Sequence, residues 1–106
     1  MGREIDETWI EEAVERYRRI EELQARFDKA VKTVEVAVRS ADGLVEVLVT
    51  ADGTIRDVRI EGPLHNRSSE AVSRSVREAV TAAADAAAWA RGKLRAETFG
   101  DYRELQ

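Results

Sequence analysis

The side chains best suited to chemistry in this sequence are two clusters of cations, and they suit anion binding better than catalysis. Arginine and lysine bind phosphate oxygens, and several such contacts are enough for salt-sensitive binding to duplex DNA. We therefore take both clusters as candidate DNA contacts. They are Arg16, Arg18, Arg19, Arg26 and Lys29 in the first cluster and Arg91, Lys93 and Arg95 in the second.

Both clusters also have a purely structural interpretation. In the first, glutamates lie four residues before arginines, and such ion pairs on a solvated helix contribute about 0.2–0.5 kcal/mol each. These pairs are Glu12–Arg16, Glu15–Arg19 and Glu22–Arg26. In the second, cations at the end of a helix complement the negative end of its dipole. The sequence leaves both interpretations open.

No arrangement of catalytic residues is evident, so we predict a binding protein rather than an enzyme. The chain has no cysteine and a single histidine, His65, which excludes thiolate chemistry and a histidine-rich metal centre. The serines lack a histidine and aspartate arranged for nucleophilic catalysis. The 21 acidic residues are scattered over expected surfaces, where no apolar context would raise a pKa. We expect neither a metal nor a cofactor.

Charge is segregated along the chain, although the net charge is only −4. Residues 1–15 carry one base and six acids, whereas residues 16–32 carry six bases and three acids. The local charge of each segment matters more for binding than the net charge of the whole chain does. No apolar run approaches the ~20 residues of a membrane span, and the first residues lack an apolar signal core. We therefore expect a cytoplasmic protein without membrane contact.

The hydrophobic pattern predicts an α+β fold in one domain, residues 1–106, with the order α-β-β-β-α. Apolar residues recur every three or four positions over 5–31, which predicts one long helix. Ser68 can cap a second helix over 68–98, in which 79–90 is rich in alanine and Gly92 is a potential early end. We expect residues 1–4 and 98–106 to fray.

Between the helices the pattern changes to alternation, which predicts a three-stranded antiparallel meander. Val34, Val36 and Val38 alternate with other residues, as do Val45, Val47 and Val49. Asp52-Gly53 predicts a tight hairpin. The apolar residues of the third strand, 55–60, do not keep strict alternation, which indicates a bulge near Thr54.

Two helices of this length expose more apolar surface than three strands can cover, so we predict a homodimer. We expect Trp9 and Trp89 to be packing anchors, with Trp9 alternatively an exposed residue that binds a partner protein. The candidate interface residues are Tyr17, Ile20, Gln24, Phe27, Val45, Val47 and Val49.

The run from Gly43 to Ile60, GLVEVLVTADGTIRDVRI, resembles the central segment of the YbaB/EbfC family of small bacterial nucleoid-associated proteins. A Gly-Leu opening leads into a valine-rich strand, an Asp-Gly turn and a Val-x-Ile strand, and the alanines of 79–90 match the family's following helix. The resemblance implies an intertwined homodimer whose helices project like tweezers from a central sheet. It also implies non-enzymatic duplex-DNA binding of low sequence specificity in the nucleoid.

The bias towards arginine (14) over lysine (3) is typical of a GC-rich genome, and actinobacteria carry divergent members of the family. Some of those members are encoded near type VII secretion systems. An alternative function is therefore a protein-interaction or chaperone-like accessory subunit that does not depend on DNA. The acidic net charge and Trp9 favour this alternative.

Overall fold

A computed structural model describes residues 7–100 and confirms the predicted α+β fold. Its elements are α1 (Glu7–Thr33), β1 (Glu35–Arg39), β2 (Val45–Thr50), β3 (Ile55–Ile60) and α2 (Ser69–Phe99). Residues 1–4 and 101–106, which we expected to fray, lie outside the described residues. Thr98 and Phe99, expected in the same frayed tail, belong to α2 instead.

The three strands form an antiparallel sheet in the order β1-β2-β3. The register aligns valines and isoleucines on one face, with Val47 between Val38 and Val58. Val49 pairs with Ile55 while Leu48 pairs with Asp57, so β3 contains one extra residue between them. The predicted bulge therefore exists, but it lies past Ile55, beyond its expected position near Thr54.

The two hairpin turns are built from the same sequence, Ser/Thr-Ala-Asp-Gly. In each turn the aspartate accepts a hydrogen bond from the hydroxyl two residues earlier, Ser40 (2.6 Å) or Thr50 (2.5 Å). The following glycines, Gly43 and Gly53, have φ of +74° and +95°, which residues with a Cβ rarely adopt. The sequence thus specifies both turns locally.

α2 covers the apolar face of β1 and β2 with a row of alanines, Ala79, Ala83 and Ala87, which are at most 1% exposed. Alanine's small side chain lets the helix backbone lie close to the valines of β2. At its start, the Ser68 hydroxyl accepts a hydrogen bond from the Ala71 amide, as predicted for an N-cap. Gly92 does not end α2, because the helix continues to Phe99.

Only the C-terminal half of α1 packs within the protomer, through Leu23, Phe27 and Val31. The Val31 carbonyl accepts from the Asp52 amide at the β2–β3 turn, and the Arg91 side chain of α2 binds the same turn. Farther from the sheet, the rings of Phe27 and Phe99 lie 6.0 Å apart. The two helices therefore run antiparallel away from the sheet.

Residues 7–22 of α1, here called the arm, contribute no buried side chain. The described residues extend over 83 × 19 × 17 Å with a radius of gyration of 22.0 Å. A compact domain of this length would have a radius of gyration of about 13 Å. The protomer is thus a small sheet-and-helix core from which a long helix projects.

Candidate nucleic-acid interface

The first cation cluster lies on the exposed surface of α1. Arg16, Arg19 and Arg26 are separated by three and seven residues, which places their side chains in one row along the helix. None of the expected pairs four residues apart forms. Within residues 7–100, the ion pair recorded for this cluster joins Arg18 to Glu15, at 4.0 Å. The row therefore presents guanidinium groups that no carboxylate of the described residues neutralises.

Each cation of the second cluster has a partner within the protomer. Arg91 donates a hydrogen bond to the Ala51 carbonyl at 2.6 Å, which ties α2 to the β2–β3 turn. The Lys93 ammonium lies 5.3 Å from the centre of the Trp89 ring, and the Arg95 guanidinium lies 4.6 Å from that of Phe27. These cation–π contacts hold both side chains against α2 and α1. The second cluster thus has a structural role and is the weaker candidate.

The open face of the sheet carries cations that are already paired with acids. Glu46, on the central strand, lies within 3.8 Å of both Arg39 and Arg59. A hydrogen bond and the charge of Asp57 raise the pKa of Arg59 above its usual value, and the charges of Glu46 and Glu61 add to the effect. This ladder of alternating charge stabilises the solvated face of the sheet and presents little net positive charge to an anion.

A similar arrangement occupies the β1–β2 turn. Asp42 accepts hydrogen bonds from the hydroxyls of Ser40 and Ser75 and from the Leu44 amide, and it pairs with Arg67 at 3.1 Å. The hydrogen bonds, led by that from Ser40, hold the pKa of Asp42 well below its usual value. Asp42 therefore joins the turn to the start of α2. Its ion pair also neutralises the charge of Arg67.

Two exposed cations that the sequence analysis missed lie near the start of α2. Arg74 and Arg77 line shallow surface grooves together with Ser69 and Ser73, and no ion pair is recorded for either arginine among residues 7–100. The spacing of three residues, opposite the buried stripe through Ala79, was the available signal. Both arginines are exposed, but Glu70, Glu78 and Asp85 line the same grooves, so this part of α2 presents mixed charge.

The candidate interface residues separate into two groups. Tyr17 and Ile20 are 63% and 41% exposed, and Gln24 is exposed with its amide bonded to Asp28. The other candidates are buried against α2 within the single chain, which leaves their side chains little surface for a second chain, and their role at a dimer interface stays a prediction. They are Phe27, Val45, Val47 and Val49.

The two tryptophans are not the packing anchors we expected. Trp9 is 58% exposed on the arm, and Trp89 is 66% exposed on the outer side of α2. The Trp89 ring instead makes the cation–π contact with the Lys93 ammonium. Both rings instead enlarge the exposed apolar surface.

Between residues 7 and 100, no group of three His, Cys, Asp or Glu side chains is arranged to hold a metal ion. Neither of the helices in that part of the chain has an apolar stretch long enough to cross a bilayer.

Comparison with known proteins supports the resemblance. Curated proteins give no match. The fold is similar to the crystal structure of the uncharacterized protein HP0035 from Helicobacter pylori, with a TM-score of 0.59 and 20% identity, over 72% of this chain and 89% of that chain. The sequence model of the YbaB/EbfC DNA-binding family matches residues 7–100, which is every described residue. The chain therefore belongs to the YbaB/EbfC DNA-binding family.

Proposed function

We propose that this protein is a nucleoid-associated, cytoplasmic protein that binds duplex DNA with low sequence specificity as a homodimer. The row of Arg16, Arg19 and Arg26 carries the proposal, because these guanidiniums are exposed and have no acidic partner in the described chain. Ten residues of helix separate its ends, or ~15 Å, a length along which one DNA strand presents about four phosphates. The role is binding, without a chemical step.

Low specificity follows from the kind of contact that such a row makes. Contacts to phosphate position a protein on DNA but carry no direct sequence information. The row lies on a straight helix that also carries Glu15 and Glu22, so DNA meets alternating charge rather than a uniformly basic surface. We therefore expect modest affinity that depends strongly on salt.

A second copy is supported by an apolar surface that the protomer leaves uncovered. Ile55, Val58 and Ile60, here called the β3 column, lie on the face of the sheet that α2 covers over β1 and β2. Neither helix packs closely on β3, and these side chains are 44–46% exposed. β3 is also an edge strand with unpaired backbone groups. A homodimer that covers this column would double the arginine row.

Fluorescence anisotropy with labelled duplexes of about 25 base pairs tests the proposal. We expect micromolar dissociation constants at 50 mM salt, similar values for unrelated sequences, and much weaker binding at 200 mM. A variant in which Arg91 becomes alanine serves as a control, because that side chain is engaged with Ala51. Absence of binding at ~10 μM protein in low salt would refute the DNA-binding role.

A further inference from the structure

The arm carries an apolar stripe that the rest of the protomer does not cover. Four side chains of this stripe are between 41% and 63% exposed, and they are Ile10, Val14, Tyr17 and Ile20. The stripe continues into the covered half of α1, where the Phe27 ring lies 6.0 Å from that of Phe99 near the end of α2. The arm therefore extends the surface on which α1 packs against a helix, past the point that Phe99 of α2 reaches.

One edge of this stripe is acidic. Glu7 and Glu21 are separated by two heptads, with Val14 midway between them, so all three lie on the same edge. Both glutamates are exposed, and no ion pair is recorded for either within residues 7–100. The arm as a whole contains six glutamates and three arginines. A ligand of the stripe thus meets an apolar surface in a negative field.

The stripe is separate from the two surfaces of the proposed function. The row of Arg16, Arg19 and Arg26 follows the opposite edge of the stripe, so phosphates on this row do not need the apolar side chains or the acidic edge. The β3 column lies on the sheet, and the arm projects away from the sheet. A homodimer that meets through β3 therefore leaves the stripe of each arm uncovered.

We propose that the arm is a docking site for a cationic amphipathic helix of another protein. A helix fits because the stripe repeats at intervals of three and four residues, the pattern that a second helix packs against. Lysines or arginines beside the apolar face of that helix would pair with Glu7 and Glu21. A second copy of this chain is a poorer occupant, because an antiparallel arm would set Glu7 against Glu21 of the other copy.

A synthetic helix of about three heptads is the probe, with leucine at the core positions and lysine at the flanking ones. Its fluorescence anisotropy is measured with the unmodified full chain, and a second peptide carries glutamate in place of each lysine. We expect the cationic peptide to bind with a dissociation constant of about 10–100 μM and the acidic peptide to bind at least about tenfold more weakly. Equal affinity for the two peptides, or no binding of the cationic one, would overturn the proposal.

A charge reversal tests whether the acidic edge makes the contact. Glu7→Lys together with Glu21→Lys is expected to weaken the cationic peptide about tenfold and to strengthen the acidic one. The matched control is Glu15→Lys together with Glu22→Lys, which changes the net charge equally on the side of the arm away from the stripe. We expect the control to change either affinity by less than about twofold. Equal effects of the two pairs would show that net charge alone matters, and would contradict recognition by the edge.

A substitution within the stripe tests the apolar contact and the identity of the occupant. Val14 is 45% exposed, so Val14→Asp is expected to keep the circular dichroism of the unmodified protein and to abolish binding of the cationic peptide. Light scattering without peptide is expected to give the same mass for both proteins. A lower mass for Val14→Asp would identify a second copy as the occupant and overturn the proposal.

The peptide assays contain no DNA, so their outcomes are distinct from those of the proposed function. Binding of the cationic peptide by a chain that does not bind DNA supports this inference and rejects the DNA-binding role. Binding of DNA without binding of the cationic peptide rejects this inference alone.

Discussion

Replacing Arg16 and Arg19 together by alanine is expected to reduce the salt dependence of DNA binding by a calculable amount. Both side chains are exposed and have no ion pair in the described chain, so their removal leaves no unpaired acid behind. A homodimer loses four guanidinium groups. Each phosphate contact contributes about 0.9 to the slope of log K against log salt, so the slope becomes about 3.6 less steep.

That slope sets the size of the effect in a binding titration. Between 50 and 200 mM salt, the affinity of the unmodified protein is expected to fall about 150-fold more than that of the double variant. Anisotropy titrations at four salt concentrations measure both slopes.

The control for this experiment is Arg91→Ala, which removes one cation per chain from the second cluster. Because Arg91 donates to the Ala51 carbonyl, its loss is expected to lower the stability by about 1 kcal/mol and to leave the salt slope unchanged. Equal slopes for the unmodified protein and the Arg16/Arg19 double variant would refute the assignment of the row to phosphate contacts.

Three further predictions concern the fold and the dimer. Val58→Lys places a charge in the β3 column and is expected to shift size-exclusion elution towards the monomer, whereas unchanged elution would contradict a role for the column. Ala83→Leu overpacks a site that is 1% exposed and is expected to lower the free energy of unfolding by about 1–3 kcal/mol, measured by urea denaturation. An unchanged denaturation midpoint would contradict the close approach of α2 to the sheet. Asp42 has a lowered pKa in the folded protein, so its contribution to stability is present above its ordinary value of 3.8 and is lost as the pH falls below it. Asp42→Asn is therefore expected to lower the melting temperature at pH 7 and to reduce the further loss of stability between pH 4 and pH 2, and an unchanged pH dependence would contradict this assignment.

The elements of this fold could be predicted from the sequence because each is specified by local patterns. The alternating valines around Val47 predict the strands, and Gly43 and Gly53 occupy the positive-φ positions that end the hairpins. The serine at position 68 marks the start of α2. The end of α2 was less predictable, since Gly92 is a poor helix former and contacts of the helix with α1 keep it continuous.

The roles of the candidate site residues depended on contacts between distant parts of the chain, which sequence spacing does not show. Arg91 binds the Ala51 carbonyl across 40 residues, and nothing near either residue predicts that bond. Val45, Val47 and Val49 were assigned to a dimer interface, but the alanine row of α2 buries them first. Because helical periodicity shows which face is apolar and not what covers it, only the structure separates the covered half of α1 from the arm.

Sedimentation equilibrium of the unmodified protein, from micromolar to about 100 μM, tests most directly whether two copies associate to cover the exposed β3 column. The chain mass is 11.9 kDa. We expect the smallest stable species to have at least twice that mass, with a melting temperature that rises with protein concentration. A single 11.9 kDa species throughout this range, with cooperative unfolding independent of concentration, would contradict the account.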